Sequence, residues 1–255
     1  MHFVCYKWGN RYPAHYVNVL FSSVQRHYPG EVVFHCVTDD GEGLAPQINV
    51  HPIPEGSRVG NGPKIYTFSA DFLGLTERDH VVSLDLDIVV VGSLAFLDEG
   101  LQRDFVIAKH RAPRSISRGH GAVYRVRVGS QSFVWDRFIA DPEAAAAMCP
   151  GRTNVNAFSE QKWLEVCYAG KPLDHFPPEK VISFRRDCSA LSPLFRLGDS
   201  AARLGLTTAW FGEAKLPGIG EAVVSFSGLT NPHDVMEHHH LHLRRAPFVK
   251  THWRV

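Results

Sequence analysis

The sequence has almost no excess charge. Its 255 residues hold 27 lysines and arginines against 26 aspartates and glutamates, a net charge of +1. That balance removes the basic stripe on which nucleic-acid binding rests, so no nucleic-acid partner is expected. Apolar runs near the roughly 20 residues that cross a bilayer are absent, as are internal repeats and low-complexity linkers. The five cysteines, Cys5, Cys36, Cys149, Cys167 and Cys188, are odd in number and form no C-x-x-C pair. This argues for buried or free thiols in a reducing compartment and against a disulfide framework. Lys7 stands where a signal peptide would continue its apolar core. A cytoplasmic protein is expected, with peripheral contact on the inner face of the cell membrane left open.

What is present is ordinary for a globular chain: 44% hydrophobic and 21% charged residues, with a length that suits one α/β domain. Histidine is frequent, with 15 copies, which raises metal binding or pH sensitivity as questions. The start reads as a β-α-β unit. His2 to Trp8 and Glu31 to Thr38 are strands. Ala14 to Tyr28 is a helix with Tyr16, Val19, Leu20, Val24 and His27 on one face. Gln47 to Ile53, Asp104 to Lys109, Gly119 to Val126, Lys180 to Phe184 and Glu221 to Phe226 read as further strands. Pro63 to Leu73, Ser130 to Ala140, Pro142 to Met148 and Ala157 to Tyr168 read as helices. The alternation predicts a Rossmann-like, mixed but mostly parallel sheet covered by helices on both faces. Ligands bind such sheets at the carboxyl ends of the strands.

The most apolar stretch, His80 to Gly92, reads H-V-V-S-L-D-L-D-I-V-V-V-G and predicts one central strand buried on both faces. Its apolar flanks leave no room for a turn between the two halves. On an extended chain Asp85 and Asp87, two apart, point to the same side. Two carboxylates so placed repel each other and are costly to desolvate unless paired. A hard cation, Mn²⁺ or Mg²⁺, answers both problems and leaves positions for water and phosphate oxygens. Asp85 and Asp87 are therefore the expected metal ligands, in a site that stabilises a departing diphosphate.

Here the sequence resembles a known group. S-L-D-L-D-I-V-V-V-G-S-L is similar to the D-x-D segment of bacterial glycosyltransferases related to the glycogenin and lipopolysaccharide-galactosyltransferase family, family eight. K-W-G-N-R-Y-P-A-H-Y-V-N, C-V-T-D-D, G-P-K-I-Y-T-F-S, S-E-Q-K-W-L, V-I-S-F-R-R-D-C, V-V-S-F-S-G-L-T-N-P-H-D-V and T-H-W-R follow the family's order along nearly the whole chain. The resemblance implies a single GT-A domain over residues 1–255. Its nucleotide- and metal-binding half would be 1–110, its acceptor-side half 111–236, and 237–255 a basic, aromatic tail. It also implies a nucleotide-sugar donor, UDP-sugar preferred, with Mn²⁺ or Mg²⁺, and a glycan, lipid-linked or small hydroxyl acceptor.

By the same resemblance, Trp8, Asn10, Tyr12, Asp39 and Leu86 surround the nucleotide, the first three by stacking and amide readout. Lys64 reaches the diphosphate as a point charge. Gly228 and Asn231 form a loop whose backbone approaches phosphate. Glu160 and Gln161, at the start of a helix, face the reacting carbon and steady its positive charge. Apart from the resemblance, Arg185 and Arg186 follow a strand end, where they either bind acceptor phosphate or donor diphosphate or form a solvated turn. His120 stands where relatives carry an asparagine near the donor sugar. One departure stands out: the family's last-loop histidine ligand is replaced, the candidate positions being Ser225 and Ser227. Three repairs are open: metal held by Asp85, Asp87, water and diphosphate alone, recruitment of His233, or a weakened site.

Two segments remain. Arg111, Arg114 and Arg118 suit an acceptor-side lid. The tail after Glu237 carries Arg244, Arg245, Lys250 and Arg254 with Phe248 and Trp253. It either touches anionic lipid head groups or packs back on the domain through its two aromatics. Three consecutive histidines, His238 to His240, cannot all face one ion. Two other classes compete with transfer. A sugar-phosphate nucleotidylyltransferase would need a glycine-rich loop where K-W-G-N-R-Y-P stands, and a degenerate nucleotide- or glycan-binding protein would lose the histidine ligand as this chain has.

Overall fold

The computed structural model describes residues 1–110, 119–151, 158–189, 212–226, 228, 230–241 and 243–255. The proposed Arg111, Arg114 and Arg118 lid, and Ser227, lie outside them. The elements begin with β1 (His2–Lys7), α1 (Ala14–His27), β2 (Val33–Thr38) and β3 (Asn49–Pro52). A 3₁₀ turn (Gly62–Phe68) replaces the longer helix expected over Pro63 to Leu73. Then follow β4 (His80–Leu84), β5 (Ile88–Val90), β6 (Phe105–Lys109) and β7 (Gly119–Arg127). Next come α2 (Phe133–Ala140), α3 (Pro142–Met148) and α4 (Glu160–Cys167). The chain continues with β8 (Asp174–His175), β9 (Val181–Ser183), β10 (Val223–Ser225) and α5 (Pro247–His252). β8 and α5 are too short to show a period in the sequence.

Seven strands form one sheet in the order β3-β2-β1-β4-β7-β6-β8. The pairs β3/β2, β2/β1, β1/β4 and β6/β8 are parallel, and β7 runs antiparallel between β4 and β6. Alternate residues feed opposite faces, as a pleated strand requires. Phe3, Cys5, Phe34, Cys36, Val82 and Leu84 enter a core shared with Val17, Leu20 and Val24 of α1. Val4, Tyr6, Val37 and Val81 face the other side. On that side Phe105, Ile107, Tyr124 and Val126 pack on Ile65 and Phe68 of the 3₁₀ turn, Phe138 of α2 and Trp163 of α4. Helices thus cover both faces, as expected. All five cysteines are buried and free of disulfides.

The expected single strand from His80 to Gly92 is corrected. The chain leaves the large sheet after Leu84, turns through Asp85, Leu86 and Asp87, and enters a second sheet of order β5-β10-β9. Ile88, Val89 and Val90 pair antiparallel with Ser225, Val224 and Val223. Both halves of the apolar run are buried, but in different sheets. Burial alone could not reveal the break, because a continuous run satisfies either arrangement.

Three of the histidines meet in one place. His2, His35 and His51, on adjacent strands, form a chain: His2 Nδ1 lies 3.1 Å from His35 Nε2, and His35 Nδ1 3.0 Å from His51 Nε2. Asp79 Oδ1 is 4.0 Å from His2 Nε2. Burial, with smaller contributions from His51 and His2, pushes His35 down from 6.5 to about 4. The unfolded chain therefore binds more protons than the folded one between these values, and stability is lost as pH falls through that window. The shift corresponds to on the order of 3 kcal/mol. The melting temperature should drop between pH 6.5 and pH 4, and drop less in His35→Gln. Equal slopes for the two proteins would show that His35 is not the group responsible.

Candidate active site

The turn at Asp85–Asp87 opens at the carboxyl edge of the large sheet, and neighbouring strand ends hold it on both sides. Asp85 N donates to Ala122 O (3.0 Å), which extends the β4/β7 ladder by one residue. Asp87 O accepts from Phe226 N (3.0 Å), just after β10. Between the two acids, Leu86 drops into the core beside α1 and is 4% exposed. The acids are thus presented by a turn anchored through its middle residue, and not by one face of a strand.

Beneath Asp85 lies Lys64, carried by the 3₁₀ turn and 7% exposed. Its ammonium has three acceptors: Asp85 Oδ1 at 2.6 Å, Glu160 Oε2 at 2.7 Å and Gly121 O at 3.1 Å. All three donors of the group are then satisfied. Burial would lower the Lys64 pKa, but Asp85 and Glu160 outweigh it and hold the amine charged, above the ordinary lysine range. Its backbone is fixed from below. Thr67 Oγ1 and Tyr124 Oη each donate to Lys64 O, at 3.0 and 3.1 Å, and Tyr6 Oη lies 2.6 Å from Thr67 Oγ1. Lys64, expected to reach a diphosphate, sits under Asp85 and beside Glu160 as their counter-charge.

Glu160 opens α4, where Ser159 Oγ caps the helix by accepting from Lys162 N. An acid there is favoured by the helix dipole, yet this one is turned inward and 4% exposed. Burial, with added repulsion from Asp85, raises its carboxyl to about 7 against the pull of Lys64. Its Oε1 has no hydrogen-bond partner among the described residues. The carboxylate lies against Gly121, where a Cβ would stand 3.0 Å from Oε2 and 3.1 Å from Oε1. Gln161 turns elsewhere: its Nε2 donates to Gly119 O (2.8 Å) and pins the start of β7.

On the other side of the turn, Tyr12 Oη donates to Asp87 Oδ2 (3.1 Å). Burial first, and the Asp85 charge second, raise the Asp87 carboxyl to about 7. Arg11 lies over the Tyr12 ring, 5.0 Å from its centre, and its Nη2 donates to Gly228 O (3.4 Å). Gly228 has a φ of +83°, a conformation glycine adopts without strain. Asn231 caps the turn Pro232–Val235, with its backbone and side-chain nitrogens on Asp234 Oδ2 at 2.7 and 3.3 Å.

The remaining expected residues spread around this edge. Trp8 packs by its partly buried ring on the cluster around Tyr6 and Val37. Asn10 is exposed, and Asp39 accepts from Gly9 N (3.1 Å) at the tip of β1. Arg185 directly follows Phe184, whose ring stacks at 4.4 Å on Phe226, the residue whose amide bonds Asp87 O. Burial pushes His120 down to about 4, and its Nδ1 accepts from Ala122 N. Ser225 is turned away from the acids, with its hydroxyl on Ile182 O (3.0 Å). His233 bonds through Nδ1 with Tyr16 Oη and lies 3.2 Å from Asp234 through Nε2. No cluster of three or more His, Cys, Asp or Glu side chains suited to a metal occurs among the described residues.

Sequence reasoning missed Gly121, Arg11 and Tyr16 as parts of this site. Arg11 had a signal, since it sits between two residues already singled out. Tyr16, four residues after Tyr12 and inside α1, read only as core.

No family model and no curated protein matches the chain. Solved structures do match it. One is the galactosyltransferase LgtC in complex with donor and acceptor sugar analogues: TM-score 0.55, 16% identity, covering 91% of this chain and 89% of that one. Another is the glycosyltransferase GlyE of Streptococcus pneumoniae TIGR4: TM-score 0.58, 13% identity, covering 91% of this chain and 56% of that one. At such identities the likeness establishes the fold. The chain has the mixed α/β GT-A architecture of these glycosyltransferases.

The buried ion pair makes a stability prediction. Lys64→Met leaves Glu160 buried beside Asp85 without a counter-charge and should cost about 3–5 kcal/mol in urea denaturation. Adding Glu160→Gln should restore most of the loss. A Lys64→Met protein as stable as the native one would mean that the carboxylates do not depend on the ammonium.

Proposed function

We propose that this chain is a glycosyltransferase. It moves a sugar from a nucleotide-diphospho-sugar, UDP-sugar preferred, to a hydroxyl of a glycan, lipid-linked or small acceptor. The observation that carries this reading is the Asp85–Asp87 turn at the carboxyl edge of a GT-A sheet, linked through Lys64 to the buried Glu160. LgtC was solved with both donor and acceptor sugar analogues, which supports the same two kinds of partner here.

In this reading Asp85 and Asp87 hold Mn²⁺ or Mg²⁺. The donor set suits a hard cation: oxygen ligands, with Asp87 raised to about 7 by burial and by its neighbour's charge. Such a cation, when bound, offsets the negative charge that develops on the departing diphosphate. Asp85 and Asp87 are the two protein ligands assigned, because Ser225 turns its hydroxyl into the small sheet. Water and diphosphate oxygens complete the set.

The chain's other residues orient the donor. Trp8, Asn10, Tyr12 and Asp39 take the nucleoside at the tips of β1 and β2, beside Leu86. Gly228, Asn231 and Arg185 take the phosphates, with backbone approach eased at Gly228. Glu160, buried and joined to Asp85 through Lys64, acts from behind the acids toward the sugar. There its charge steadies positive charge on the ring as the diphosphate leaves. Lys64 holds Glu160 and Asp85 at a fixed separation, and Gln161, through Gly119, keeps the start of β7 in place beside them. One feature favours a second reading, a binding protein without turnover: Lys64 already neutralises Asp85.

The two readings separate by experiment. A thermal-shift panel of UDP-, GDP- and CDP-sugars with Mn²⁺ should stabilise the protein with at least one donor, by about 2.7 kcal/mol at 100 times its dissociation constant. Donor hydrolysis should accompany binding and disappear in Asp85→Asn, Asp87→Asn. Binding without hydrolysis or transfer by any donor supports the second reading, and no stabilisation by any donor defeats both.

A further inference from the structure

The C-terminal segment was expected either to meet lipid or to pack inward, and its contacts point to a more specific role. Trp253, just after α5, is 8% exposed. Its ring lies 4.8 Å from the Tyr16 ring, edge to face, and 5.3 Å from that of His15. Tyr16 in turn lies 4.9 Å from Tyr12, and Tyr12 Oη donates to Asp87 Oδ2 at 3.1 Å. We propose that α5 is a positioning element of the donor site, acting through the ladder Trp253–Tyr16–Tyr12 on the Asp87 carboxylate. The proposal rests on the reading of Asp87 as part of that site.

Three further observations support it. Tyr12 is the one side chain that hydrogen-bonds the Asp87 carboxylate among the described residues, so within the backbone-anchored turn the position of Tyr12 orients that carboxylate. The loop after β10 docks on the same ladder: His233 bonds to Tyr16 Oη, and its ring lies 6.4 Å from Trp253. The tail is also tied down at both ends. Ala246 N donates to Val235 O at 2.6 Å, and Arg26 Nη2 donates to Arg254 O at 2.8 Å. Three of its cations have partners within the protein, Arg244 with Ser189 O and Cys188 O, Arg245 with Glu213 and Lys250 with Glu237. Closely packed ring pairs of this kind prefer a narrow set of geometries, so each ring limits the freedom of the next.

The test uses the full chain with UDP and Mn²⁺ as probes, followed by calorimetry. Trp253→Ala should weaken UDP binding in the presence of Mn²⁺ about three- to tenfold, and Trp253→Phe should restore it. Tyr12→Phe, which keeps the ring and removes the hydroxyl, should lose a similar factor. Combined with Trp253→Ala it should lose little more, since both act through one bond. A change in melting temperature with unchanged affinity, or additive losses, would overturn the proposal. Hydrogen exchange separates its failure from that of the parent reading. Should the native protein bind no nucleotide, faster exchange at Phe226, whose amide bonds Asp87 O, with Val224 unchanged in Trp253→Ala still supports positioning. Unchanged exchange at Phe226 overturns it.

Discussion

The Lys64 ammonium holds the site together. It lies between Asp85 and Glu160, within 2.7 Å of each, and donates to Gly121 O as well. The lysine and its three partners come from four different places in the fold: a 3₁₀ turn, the turn after β4, the start of α4 and the start of β7. A charge buried this deeply is tolerated only when its partners are fixed, so the interaction constrains all four at once. Thr67, Tyr124 and Tyr6 extend the constraint downward by holding the backbone of residue 64. Gly121 meets it from above, because a Cβ there would crowd the Glu160 carboxylate at 3.0 Å.

The turn that carries Asp85 and Asp87 solves a related problem. Its two flanks are apolar and both are buried, so the chain cannot place acids there without an exit to solvent. Passing from one sheet to another creates that exit, and Leu86 anchors the crossing in the core. Asp85 then faces the lysine and Asp87 faces Tyr12, so the pair is asymmetric. One acid is neutralised by a buried cation, while the other depends on an aromatic ledge to which the C-terminal tail also contributes. Conformational changes at this site would therefore be felt in opposite parts of the chain.

Much of this was legible in the sequence. The strands β1 to β3 and helix α1 follow from periodicity and from proline and glycine stops, and the acidic pair stood out because its neighbours are so apolar. Glu160 was found as the acid at a helix start, though not that it turns inward. The His2–His35–His51 chain was out of reach, since it arises from the register of three strands. The tail offered two outcomes, and its aromatics could not choose between lipid and protein before Tyr16 was known to lie opposite Trp253.

By itself the sequence determined most of the longer strands and helices, the mixed sheet and the acids that stand out in it, because these follow from local spacing and from the cost of burying charge. The tertiary structure decided that the acidic run breaks into a turn, that Lys64 is a counter-charge, and that Tyr12 and Trp253 belong to one ladder. Those outcomes depend on partners far apart along the chain, 21 residues for Lys64 and Asp85 and 75 for Tyr12 and Asp87. Periodicity reports which side of an element is buried, but not which distant side chain it meets.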